Sequence, residues 1–130
     1  MKKNSPSMDL WLKEAKADPS AVSCGMFLVH NGTVRQTAKA KVRQGNQDAK
    51  PVTGMTFRYN AEKVDQAVQQ TREMKGIYYV RVWLNEGELD VGDDIMFILV
   101  GGDIRPHVID ALQALVGTIK NKCVLEQELY

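Results

Sequence analysis

The stretch Asp94-Ile-Met-Phe-Ile-Leu-Val100 constrains the fold more than any other, because six consecutive residues from Ile95 are apolar and show no polar alternation. A strand with one wet face alternates apolar and polar residues, whereas a strand covered on both faces need not. The run therefore predicts a central strand with material packed above and below it. Asp90-Val-Gly-Asp, a turn signal, precedes it, and Gly101-Gly102 follows it.

The remaining elements fall into place around that strand. Ser7 is placed to cap a helix from Met8 to about Ala17, which Asp18-Pro19-Ser20 stops. Ala21 to Val29 reads as a strand ending at the turn or bulge signal His30-Asn31-Gly32. Val52 to Tyr59 alternates with period two, and Asn60 then caps a helix carrying Val64, Ala67, Val68, Thr71 and Met74 on one face, with Gly76 as its stop. Ile77 to Leu84 is a β-branched and aromatic strand, followed by the turn Asn85-Glu-Gly-Glu. Asp103 is read as the cap of the last helix, with Pro106 in its first turn and an apolar stripe from Ile104 through Val108, Leu112 and Leu115 to Ile119; Cys123 to Leu129 closes the chain as a strand or extended tail. This order predicts an α+β fold: a mixed, mainly antiparallel sheet with about three helices on one side. A chain of 130 residues holds one ordinary core, so residues 1–130 are read as a single domain.

Residues 36–52 break the pattern. They carry Lys39, Lys41, Arg43 and Lys50 and, before Val52, a single branched apolar residue, Val42. Such a segment buries too little to order itself and is read as a mobile basic surface loop, with a solvated loop and a ligand lid as equal alternatives.

Composition excludes several classes of function. Lys+Arg number 17 against 16 Asp+Glu, a net charge of +1, so bulk charge implies neither a nucleic-acid surface nor a polybasic membrane patch. The longest strongly apolar run falls far short of the ~20 residues that span a bilayer, and Asp9, Lys13 and Glu14 interrupt any leader-like core after Lys2-Lys3. A soluble, cytoplasmic protein is expected. Cys24 and Cys123 lack Cys-x-x-Cys spacing and have only His30 and His107 as companion soft ligands, so neither a metal site nor a cofactor is expected, and the thiols are read as reduced and packed in strands. Gly-x-Ser-x-Gly, Gly-x-Gly-x-x-Gly and Gly-x-x-x-x-Gly-Lys are all absent from the sequence, which disfavours a serine hydrolase and the common nucleotide-binding loops.

Charge that matters must therefore be local. Arg35 follows an apolar strand in Gly32-Thr-Val-Arg, Arg105 opens the last helix, and Lys120 stands at that helix's far end. Arginine forks and free helix N–H groups suit a phosphate or carboxylate, and solvated cations are the plain alternative. Arg105 and Lys120 are separated by about 22 Å of helix, so the two need not touch the same group.

The order Gly32-Thr-Val-Arg35, the Phe57 strand leading into a helix, Gly87-x-Leu-x-Val-Gly-Asp before the Ile95 strand, Arg105 opening a helix and Lys120 closing it resembles the large, catalytic subunit of molybdopterin synthase over roughly residues 21–128. The resemblance implies an α/β-hammerhead-type fold and a homodimer. Each large subunit would bind a small ubiquitin-like sulfur-carrier subunit, giving a heterotetramer. The carrier's thiocarboxylate would sulfurate cyclic pyranopterin monophosphate to form molybdopterin. It also implies that Arg35 and Arg105 bind the anionic substrate and that Lys120 is catalytic. Two positions depart from the pattern. The family's His-Arg pair reads Ile104-Arg105 here, and its second lysine is matched by Glu126, leaving Lys122 as the candidate replacement. A carboxylate for an ammonium reverses local charge, and a lost imidazole removes a proton partner. Two other readings stand beside this one: a non-catalytic paralogue that retains the dimer and a protein partner, and an unrelated anion-binding module.

Overall fold

The computed structural model describes residues 1–45, 47 and 50–130. Its elements, in chain order, are α1 (Met8–Ala17), β1 (Met26–Thr33), α2 (Lys39–Gln44), β2 (Gly54–Tyr59), α3 (Ala61–Arg72), β3 (Ile77–Leu84), β4 (Gly87–Asp90), β5 (Asp94–Gly102), α4 (Arg105–Thr118) and β6 (Val124–Leu129). A 3-10 turn, Pro19–Ser23, precedes β1, and a π-helical turn, Ile119–Cys123, joins α4 to β6.

The described residues form two three-stranded sheets, β1-β5-β3 and β4-β2-β6, and every strand pairing among them is antiparallel. The α+β class and the mainly antiparallel pairing hold, with the strands divided between two sheets. The apolar run from Ile95 is the central strand of the first. Ile98 and Val100 point into a core shared with α3 and α4, where Val64, Ala67, Val108 and Leu115 are buried. Phe97 and Leu99 point the other way, onto Trp11 and Ala15 of α1. Helices therefore cover both faces of this sheet, correcting the expectation of helices on one side. The absence of alternation in β5 is the direct result.

Sheet crossing is organised by Asn85, which is only 2% exposed. Its Oδ1 accepts from the N–H groups of Lys3 (2.7 Å) and Glu86 (2.9 Å), and its Nδ2 donates to the Asp94 carbonyl at 2.8 Å. A buried amide with these partners satisfied holds β3, β4 and β5 in register where the chain passes from one sheet to the other.

Three boundaries differ from the sequence reading. The first strand begins at Met26 and not Ala21, because the Asp18 carboxylate accepts from Ser20 N–H (2.9 Å) and Oγ (2.5 Å) and winds Pro19–Ser23 into a turn. It then runs through the His30-Asn31-Gly32 signal, which survives as a register shift between Gly32 and Thr33; eight residues of pairing with β5 outweigh a local turn preference. At α4, Asp103 does not cap the first turn: its Oδ1 accepts from Ile104 N–H (2.6 Å) and pairs with His107 Nδ1 (2.7 Å), and the cap position is Ile104. Gly76, with φ of +80°, lies against this pair, and a Cβ there would stand 2.3 Å from Asp103 Oδ1, so only glycine fits. Neither cysteine lies in a strand: Cys24 follows the 3-10 turn and Cys123 ends the π-helical turn, and both are free.

Part of the 36–52 segment is ordered. Lys39–Gln44 is helical, Ala38 and Val52 are buried, and the Val52 N–H donates to the Gln36 carbonyl at 2.7 Å. The part of the loop reading that concerns residues 46, 48 and 49 lies outside the described residues.

Candidate active site

A cavity of about 220 Å³ opens where the two sheets meet the end of α4. β1 contributes His30 and Thr33, and the residues just beyond it contribute Arg35. Lys39 comes from α2, Lys120 from the π-helical turn, and Glu126 and Glu128 from β6. Met55, Ile95 and Met96 supply an apolar wall. Arg35 is directed by backbone geometry: Val34 N–H donates to the Asp93 carbonyl at 3.0 Å, and the Arg35 Nε donates to the Thr37 carbonyl at 2.8 Å.

Lys120 owes its position to a change of helical period. The α-helix ends at Thr118, and the wider π turn carries Lys120 into the cavity while Ile119 and Cys123 stay buried. Such turns recur at functional sites because they re-aim one side chain without ending the helix. Burial pushes the Lys120 ammonium below its ordinary pKa, and the positive charges of Lys39, Arg43 and Arg35 push it the same way against the attraction of Glu126. The result is an amine more available in its neutral form than an ordinary lysine. Burial, and then the Lys120 charge, lowers the His30 pKa as well, which favours the neutral imidazole beside it.

On β6 the alternation that leaves Leu125 78% exposed turns Glu126 and Glu128 inward. Glu126 forms an ion pair with the Lys39 ammonium, and Glu128 Oε2 accepts from the Lys39 N–H at 3.1 Å. The cavity thus combines clustered cations able to hold an anion, a lysine with a depressed pKa and a neutral histidine.

Of the residues singled out from sequence, Arg35 and Lys120 meet in this cavity, together with the departure Glu126. Arg105 does not. It is exposed at the first turn of α4, a helix of 14 residues and so about 20 Å from the other end. Lys122 does not either: it lines a separate groove with Lys63, Asn121 and Cys123. Two residues along a helical turn is nearly half a revolution, which directs Lys120 and Lys122 apart. His30, Lys39 and Glu128 were missed. The inward phase of β6 offered a signal for Glu128; Lys39 offered none, since its segment has no apolar period.

Among the described residues there is no group of three or more His, Cys, Asp or Glu placed to hold a metal ion, and no helix is long and apolar enough to cross a membrane.

The fold has close counterparts among solved structures. Molybdopterin synthase from Staphylococcus aureus superimposes with a TM-score of 0.72 at 16% identity, covering 97% of this chain and 87% of that one. The molybdopterin biosynthesis MoaE protein from Burkholderia ambifaria gives 0.72 at 12% identity, covering 98% and 84%. A complex of subunits 1 and 2 of the molybdopterin-converting factor from Helicobacter pylori gives 0.66 at 13%, covering 97% and 84%. No curated protein sequence matches the chain. At these identities the superpositions speak for the fold alone; the sequence itself matches the family described as MoaE protein over residues 6–122, a span that includes Arg35, Lys39, Arg105 and Lys120. On that match the chain belongs to the MoaE family, and with it to molybdenum cofactor biosynthesis.

Proposed function

We propose that the cavity transfers sulfur from the C-terminal thiocarboxylate of a small ubiquitin-like carrier subunit to cyclic pyranopterin monophosphate, forming the dithiolene of molybdopterin in the cytoplasm. The observation that carries this reading is the meeting of Arg35 with a pKa-depressed Lys120 in one cavity. Arg35 presents a fork suited to a phosphate. Lys120 either polarises the thiocarboxylate carbonyl as a cation or, as a neutral amine, holds the carrier's acyl group covalently. The neutral His30 imidazole is available to move a proton beside it. The solved complex of two molybdopterin-converting-factor subunits supports a small-subunit partner for this chain.

A homodimer is part of the proposal. Arg105 and Lys120 stand at opposite ends of α4, so one substrate can meet both only across an interface between two copies. Sedimentation at micromolar concentration should give a dimer, and a purely monomeric species would remove Arg105 from the substrate site.

Reconstitution with a thiocarboxylated carrier and the pyranopterin precursor tests the chemistry. Product should form, and Lys120→Ala should abolish it without loss of fold. Full activity in Lys120→Ala would refute the assignment. The second reading, a non-catalytic paralogue, has its own support in the Glu126 carboxylate and Ile104; a folded, carrier-binding wild type that forms no product, with Glu126→Lys gaining activity, would establish it.

A further inference from the structure

The cavity that the proposed reaction assigns to an anionic substrate already contains two carboxylates, those of Glu126 and Glu128, and Glu126 is the one paired with a lysine ammonium. Its side chain is only 14% exposed, and its partner Lys39 is 35% exposed. Around Lys120 stand Lys39, Arg43 and Arg35, all positive, with Glu126 as the charge that offsets them. Lys39 is held twice by β6: its backbone N–H donates to Glu128 at 3.1 Å, and its ammonium pairs with Glu126. Glu128 is further engaged by the Tyr130 hydroxyl at 3.2 Å. The division of labour is plain. Glu128 fixes the backbone of Lys39 by a contact that any residue type could make, whereas Glu126 fixes the position of its charge.

We propose that Glu126 is the resting counter-ion of the cavity, occupying the place of a ligand's anionic group, and that a phosphate-bearing ligand enters by exchanging with it and takes Lys39 as a direct contact. Like charges gathered at one cavity repel one another, and a carboxylate on a fixed strand offsets them at no cost in ligand. A phosphate competes with a single carboxylate for the same cations: a cyclic diester brings one charge and two free acceptor oxygens, and a monoester brings up to two charges and three. Lys39, from a segment without an apolar pattern, becomes a substrate-contacting residue alongside Arg35 and Lys120.

This inference rests on reading the cavity as the substrate's anion pocket, so the experiment separates the two. Inorganic phosphate is titrated calorimetrically into the whole protein at low salt. Glu126→Gln should bind phosphate about three- to tenfold more tightly than wild type, the scale expected for removing one competing charge from a partly exposed site. Lys39→Gln should bind more weakly by a similar factor, and Glu126→Asp, which keeps the charge, should stay near wild type. Unchanged or weaker binding in Glu126→Gln overturns the counter-ion role, as does the absence of phosphate binding in wild type and Glu126→Gln alike. If Arg35→Ala and Lys120→Ala lose phosphate while Glu126→Gln binds as wild type does, the pocket reading stands and this inference alone fails. If Arg35→Ala and Lys120→Ala bind as wild type does, both fail.

Discussion

Replacing Lys120 by methionine should remove activity and slightly raise stability. Burial and the neighbouring charges of Lys39, Arg43 and Arg35 depress the folded-state pKa of Lys120, against the attraction of Glu126. A depressed pKa means that the unfolded chain binds the proton more tightly than the folded one, so the charged form costs folding free energy at neutral pH. Each unit of depression corresponds to about 1.4 kcal/mol. Lys120 is exposed enough for solvent to screen much of this, which reduces the expected gain in Lys120→Met to about 0.5–1 kcal/mol at pH 7. The sign of the pH dependence follows. The contribution of Lys120 to stability is fully present above its unfolded pKa, near about 10.4, and is lost as pH falls through the lower folded value. The advantage of the methionine variant is therefore largest near neutrality and shrinks as pH climbs into the alkaline window. Urea unfolding of both proteins at pH 7 and pH 10 measures it. A variant less stable than wild type by more than about 1 kcal/mol at pH 7, or an advantage that grows with pH, would refute the electrostatic account.

Phe57→Ala should cost about 3–5 kcal/mol, because Phe57 is fully buried in β2 against the core shared with α3 and α4; a loss below about 1 kcal/mol in urea unfolding would show that β2 does not close that core. The amides of Lys39–Gln44 should exchange with solvent much faster than those in the middle of α4, since a six-residue helix cannot sustain itself and depends on tertiary contacts such as those of Lys39 to β6. Protection equal to that of α4 would sink this.

Burial on both faces is written into β5 as an unbroken apolar run, so the centre of the fold was legible without any knowledge of its partners. The two helices that share the main core were legible for a similar reason, through stripes such as Val64, Ala67 and Thr71. What local pattern could not supply was which face a second layer covers: α1 reads as an amphipathic helix, and nothing in Trp11 or Ala15 says that it packs on the opposite side of β5 from α4. The site divides along the same line. Arg35 and Lys120 stand at ends of regular elements, where motif order gave them roles. Lys39 meets a carboxylate 87 residues away, a contact set by tertiary folding and not by spacing. Lys122 shows the converse. Its closeness to Lys120 in sequence suggested a shared role, and the π-helical turn directs it into another groove.

The position of the cavity relative to α4 explains why so many side-chain charges gather there. A helix N-terminus offers an anion free N–H groups and the positive end of the macrodipole; a C-terminus offers carbonyls and the negative end. Lys120 lies just beyond the C-terminal end of α4, so that helix offers a phosphate no free N–H groups there and its field opposes it. In the proposed reaction, binding then falls to Arg35, Lys39 and Lys120, and cations at a helix C-terminus are themselves favoured by that field. The same arrangement gathers positive charge at the cavity, which is the condition under which an inward carboxylate on β6 is stabilising. Arg105, by contrast, stands at the N-terminal end of α4, where backbone and side chain both favour an anion. An anionic substrate bridging two copies would therefore meet two unlike ends of the same helix: one that attracts it through main-chain dipoles, and one that attracts it only through side chains held in check by Glu126.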